Sequence, residues 1–99
     1  MEQLRIDRYV IETLMPDLVG HDKRPSALLV YLFLWAHTAQ PHGRKARASL
    51  RDIADGTGLS KRSVQEALAL LERRKLVARS KTMPTSVAAY DVLRPWRRR

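Results

Sequence analysis

The longest unbroken apolar run is Ala27 to Ala36, ten residues that include Tyr31 and Trp35. A bilayer span needs about 20, so the run predicts a buried helix instead. Leu28, Tyr31, Leu32 and Trp35 recur at helical spacing. Val30, Phe33 and Leu34 widen that stripe, which predicts burial on most sides. Ser26 is placed to cap the helix and Gln40-Pro41-His42-Gly43 to end it, so it is expected over 27–39.

Two shorter apolar patterns follow. Ser49-Leu50-Arg51-Asp52 has the spacing of a capping box, with Asp in place of Glu. It predicts a helix with Leu50, Ile53 and Ala54 facing inward, ending at Thr57-Gly58, where Gly58 suits a left-handed residue. Leu59 is an apolar plug in the turn, and Ser60 caps the next helix. That helix is expected to run to about Arg74, with Val64, Ala67, Leu68 and Leu71 on one face. Leu76 to Lys81 and Val87 to Leu93 then read as a β-hairpin around the loop Thr82–Ser86.

The ends are less patterned. Tyr9, Val10 and Ile11 read as a short extended piece, whereas Leu14, Met15 and Leu18 have helical spacing around Ile11. Pro16 suits a first turn but would damage a helix interior. The expectation is a strand or arm followed by an irregular or one-turn helical piece. Arg44-Lys45-Ala46-Arg47 reads as a basic loop, and Pro95-Trp96-Arg97-Arg98-Arg99 as a basic tail that frays beyond Trp96.

Composition narrows the function. The 99 residues carry 19 Lys+Arg against 10 Asp+Glu, a formal net charge of +9. Residues 1–20 are net acidic, while 44–99 hold fifteen basic and five acidic groups, so the basicity belongs to the C-terminal half. Such an imbalance attracts a polyanion. There is no cysteine, which excludes disulfides and thiolate chemistry. His21, His37 and His42 show no ligand spacing among themselves. No phosphate-cradling loop, activated serine or carboxylate pair is visible. The expectation is therefore no enzyme, no metal and no cofactor. The first residues carry mixed charge rather than an apolar signal core, which fits a cytoplasmic, nucleoid-associated location and no membrane partner.

Two helices joined by Asp55-Gly56-Thr57-Gly58-Leu59-Ser60 make a helix-turn-helix candidate. Ala54 is small enough for a close crossing, and Val64 can pack back under Ile53 and Ala54. With Val64, Ala67, Leu68 and Leu71 committed to the core, Lys61, Arg62, Ser63 and Gln65 point elsewhere. Basic groups in a first turn oppose the helix dipole. Lys61 and Arg62 are easier to understand if a polyanion sits there. Arg and Lys match guanine edges and Gln matches adenine. Lys61, Arg62, Ser63 and Gln65 are thus base-reading candidates. Phosphate-contact candidates are Ser60, Arg44, Lys45, Arg47, Arg73, Arg74, Arg79 and Lys81. Arg79 and Lys81 share a strand face with Val77.

The stretch from Ser26 to about Leu93 resembles a winged helix-turn-helix domain, a three-helix core plus a hairpin wing in a mostly α fold. It is similar to bacterial proteins of the replication-initiator-like and MarR- or GntR-like groups. The matching text is Ala27–Leu34, Ser49–Ala54, Gly58–Leu68 and Leu70–Val77. The resemblance implies double-stranded DNA binding, with Lys61, Arg62, Ser63 and Gln65 on the recognition helix and wing contacts from the hairpin. It also marks a departure. Such domains often carry Gly before the first wing strand, where this chain has Arg74-Lys75, so the expectation is either an unusual backbone angle at a residue such as Lys75 or a different end to the helix. The implied organisation is an arm or short helix over 1–25, the winged domain over 26–93 and a basic tail over 94–99. Tyr9, Val10, Ile11, Leu14 and Trp96 are candidates either for packing across the first helix or for a homodimer contact. The expected role is a transcriptional regulator acting by operator occupancy, or a plasmid or phage replication factor. A protein-docking module is the alternative of a different class. No feature identifies a small-molecule effector.

Overall fold

The computed structural model describes residues 2–38, 45–80 and 87–97. Three α-helices form the centre: α1 over Pro25–His37, α2 over Leu50–Thr57 and α3 over Lys61–Arg73. Three strands, β1 over Ala46–Ser49, β2 over Val77–Ser80 and β3 over Val87–Val92, make an antiparallel sheet in the order β1-β3-β2. This is a winged helix-turn-helix arrangement. The core joins Tyr31, Leu34, Ile53, Val64, Leu71, Val77 and Tyr90, all at most 2% exposed.

Several boundaries differ from expectation. α1 starts at Pro25 and Arg24 is its N-cap, so Ser26 lies inside the first turn rather than capping it. The fixed φ of proline suits the first helical position. The basic loop expected before α2 contains β1 instead. Ala46 and Ala48 face the core and Arg47 faces out, paired in register with Tyr90, Ala88 and Ala89 of β3. Alanine has weak strand preference, so the alternation carried little signal.

The expected extended piece at Tyr9–Ile11 is helical. Val10–Leu14 and Pro16–His21 are wide, π-type turns. Met15 and Asp22 each donate a backbone hydrogen bond five residues back, to Val10 and Asp17. Pro16 lacks the amide needed to continue a regular ladder and sits at the start of the second piece. Val10, Leu14 and Leu18 are buried, and that packing overrides the local β-branched bias. Ile11 and Val19 remain exposed.

The chain ends meet. Tyr9 stacks on Trp96 at 4.5 Å between ring centroids, and Trp96 lies parallel to Trp35 at 6.5 Å. Trp96 thus packs across α1. Asp7 accepts from Trp96 Nε1 at 2.9 Å, from Arg97 Nε at 2.8 Å and from Arg97 Nη2 at 2.6 Å. Arg97, expected to fray, is therefore held. The Arg97 guanidinium is the main cause holding the Asp7 carboxyl below its ordinary value. His21, then Arg74, does the same for Asp22. A carboxyl depressed in the folded state adds stability above its unfolded value, near 4. That stability is lost as pH falls through the lower, folded value. Acid titration followed by tryptophan fluorescence should show this clasp opening below about pH 4, and Asp7→Asn should flatten that part of the curve.

At the end of α3 the unusual backbone angle is found. Lys75 has φ 59°, in the left-handed region. Lys75 N–H donates to Glu72 O at 3.0 Å and Leu76 N–H to Leu71 O at 2.9 Å. This is a Schellman motif with lysine where glycine is usual. A side chain there costs about 1–2 kcal/mol, partly offset because glycine loses more freedom on folding. Lys75→Gly should therefore stabilise the fold by about 0.5 kcal/mol, read from the urea midpoint.

α1 and α2 lie in close contact at Gly56. A Cβ on Gly56 would lie 2.1 Å from Phe33 Cε1 and 2.8 Å from Cδ1. Gly56→Ala gains up to about 1 kcal/mol of helix propensity but must displace a half-buried ring, at about 1–3 kcal/mol. A net loss of about 1 kcal/mol is expected, and Phe33→Leu should restore it in the double variant.

Candidate nucleic-acid interface

The turn between α2 and α3 is fixed by side chains the sequence marks. Ser49 and Asp52 form the reciprocal capping box: Ser49 N–H donates to Asp52 Oδ2 at 2.9 Å, and Asp52 N–H to Ser49 Oγ at 3.0 Å. The Ser49 amide is the main cause lowering the Asp52 pKa. Gly58 closes α2 at φ 81° and donates to Ala54 O. Thr57 Oγ1 donates to Ile53 O at 2.7 Å and accepts from Leu59 N–H at 3.3 Å, bracing the turn.

Ser60 then caps α3. Its Oγ accepts from Ser63 N–H at 3.1 Å and lies 3.1 Å from Ser63 Oγ, to which it donates. With both roles of the Ser60 hydroxyl filled, the Ser63 hydroxyl proton is the one left to point outward. Lys61, Arg62 and Gln65 are exposed, and Val64, Ala67, Leu68 and Leu71 are buried. The first turn of α3 therefore offers two cations, a hydroxyl and an amide on one surface, next to the positive end of the helix dipole.

A shallow depression of about 340 Å³ runs beside this surface, lined by Leu50, Gln65, Leu68, Ala69, Glu72 and Arg79. It brings Gln65 of α3 and Arg79 of β2 together. Arg79 is cross-strand from Tyr90, on the sheet face that also carries buried Val77. Burial raises the Tyr90 pKa, so its phenol stays neutral under the basic wing. Glu72 adds one negative charge to the depression.

Other candidates lie elsewhere. Lys45 Nζ pairs with Asp91 Oδ2 at 2.7 Å. Arg47 is exposed on the sheet face away from the core, opposite Ala89. Arg73 is exposed in the last turn of α3. Arg74 is bound by Asp17 and Asp22, which ties the N-terminal turns to the end of α3. Its guanidinium is committed there rather than displayed for a phosphate. Asp17, His21 and Asp22 lie close enough to share an ion, but both carboxylates already meet Arg74. Arg44 and Lys81 lie outside the described residues, as does the loop Thr82–Ser86.

One basic residue was missed. Arg24, the N-cap of α1, reaches Glu66 on α3 through Nη1 at 2.7 Å. Arg62 Nε meets the other oxygen of Glu66 at 3.4 Å. Arg24 is 42 positions from Glu66, so no local spacing could announce it.

The family model described as a helix-turn-helix domain matches residues 21–77. The chain belongs to this helix-turn-helix family. The match spans α1, β1, α2 and α3 and stops at the first residue of β2. The N-terminal turns before His21 and strand β3 complete the helix-turn-helix unit from outside the matched region. No curated protein and no solved structure matches the chain.

Proposed function

We propose that this helix-turn-helix protein binds double-stranded DNA sequence-specifically and acts as a transcriptional regulator by occupying an operator. The observation that carries this reading is the solvent-facing first turn of α3. Lys61 and Arg62 stand there against the helix dipole, with Ser63 and Gln65 beside them and none of the four fully buried. Entry of that end into the major groove would put Gln65 and the two cations at base edges. Arg79 would follow on the backbone from the wing side. The protein acts by occupancy rather than by catalysis. The resemblance to replication-initiator-like and to MarR- or GntR-like proteins gives two uses for the same contacts, an operator or a replication site. The identity of the bound site separates them.

The test is selection from random duplex DNA with a salt titration. One enriched motif is expected, with log affinity falling against log salt by about 0.9 per phosphate neutralised. No enrichment together with salt-independent behaviour would overturn DNA binding in favour of a protein-docking role.

A further inference from the structure

We propose that Glu66 is a positioning residue for DNA readout: it aims Arg62 at a guanine and holds Arg24 against the flanking phosphate backbone. The inference rests on the DNA-binding reading above and deepens it. Glu66 lies on the recognition helix, one turn past Arg62, and is exposed. A carboxylate near a phosphate backbone is repelled, so on charge alone its presence there weakens binding. Its contacts give it another use. One oxygen takes Arg24 Nη1 at 2.7 Å and the other takes Arg62 Nε at 3.4 Å.

The choice of nitrogen matters. An arginine held through Nε keeps Nη1 and Nη2 for an end-on pair of hydrogen bonds, the geometry that matches guanine O6 and N7. Left alone, Arg62 is a long side chain, 86% exposed, and ordering it on binding costs about 0.5–1.5 kcal/mol. In the free protein the pair is weak, as exposed ion pairs are. Exclusion of water by the duplex strengthens it. Arg24 is fixed by the same carboxylate at the start of α1, beside α3, with its other nitrogens available for a phosphate oxygen. One glutamate thus couples a base contact to a backbone contact from a second helix.

The test compares Glu66→Gln with the natural chain on its selected site and on random duplex DNA. Loss of a negative charge by itself should raise both affinities together. A positioning role predicts a split. Affinity for random DNA holds or rises, affinity for the selected site falls, and the ratio of the two drops on the order of tenfold. Preference for guanine at one position should be lost equally in Glu66→Gln and Arg62→Ala, with no further loss in the double variant. Arg24→Ala should weaken both DNAs alike and lower the salt slope by about one. Parallel gains in Glu66→Gln, with guanine preference kept, would overturn the proposal while leaving DNA binding intact. Absence of binding to any duplex by the natural chain would sink both readings. Circular dichroism of each variant separates a binding effect from unfolding.

Discussion

Replacing Trp35 by Ala is expected to cost about 3–5 kcal/mol, a large part of the 5–15 kcal/mol typical of a domain. Trp35 is 3% exposed and sits where three separate parts of the chain converge. Its Nε1 donates to Arg5 O at 2.7 Å, fixing the N-terminal arm. Its ring packs against Tyr31 at 5.9 Å and lies parallel to Trp96 at 6.5 Å. The Arg94 guanidinium stands 4.3 Å from the ring centroid. Truncation opens a cavity at that junction, orphans the Arg5 carbonyl and leaves Arg94 without its aromatic surface. Urea unfolding should show a midpoint reduced by about a fifth or more of its value, on the order set by those two energies. Trp35→Phe separates the contributions. It keeps most of the apolar area and loses the N–H, so a loss of about 1–2 kcal/mol is expected. Equal losses in the two variants would refute the weight placed on the ring.

The double variant Lys61→Ala, Gln65→Ala should lose on the order of a hundredfold or more in affinity for the selected DNA site. A good bidentate base contact supplies about 1–3 kcal/mol of discrimination, and every 1.4 kcal/mol is about tenfold. Both side chains are exposed on α3 and bear on no core contact, so folding should be unchanged. The salt slope tells the two residues apart. It should fall by about one with Lys61→Ala if that lysine meets a phosphate, and stay constant with Gln65→Ala, whose amide carries no charge. Binding to random DNA should persist through Arg79 and the remaining cations. Undiminished recognition of the selected site by the double variant would remove the first turn of α3 from the reading face.

The parts of the fold legible in the sequence were those whose causes are local. Ser49 with Asp52, Gly58, and Ser60 before Lys61 each act within one turn, so the α2–turn–α3 unit could be read directly. The buried set Val64, Ala67, Leu68 and Leu71 followed from spacing alone. The left-handed Lys75 was reached only through the resemblance, which puts a glycine where this chain has Arg74-Lys75, and it was one of two outcomes left open there. What escaped was set by tertiary partners. β1 exists because β3 offers it an edge, not because Ala-Arg-Ala-Ser favours a strand. The N-terminal turns are helical because Val10, Leu14 and Leu18 have a surface to cover. Among the site residues, the exposure of Lys61, Arg62 and Gln65 on α3 was visible, whereas the removal of Arg74 by Asp17 and Asp22 and the arrival of Arg24 at Glu66 were not. Ion pairs between distant positions leave no periodic trace.

The clasp at Asp7 has a bearing on how the chain is made. Asp7 and Arg97 are 90 positions apart, so during synthesis the arm emerges long before its partner. Contacts of such separation close late, after the loop entropy of the intervening chain has been offset. The helix-turn-helix unit can assemble first on its own local signals, with Tyr9 still lacking its stack on Trp96. A released chain ending before Trp96 would then carry a folded α3 with an arm held only through Trp35 and the Arg5 carbonyl. Protease sensitivity in residues 2–9 should distinguish that species from the finished protein.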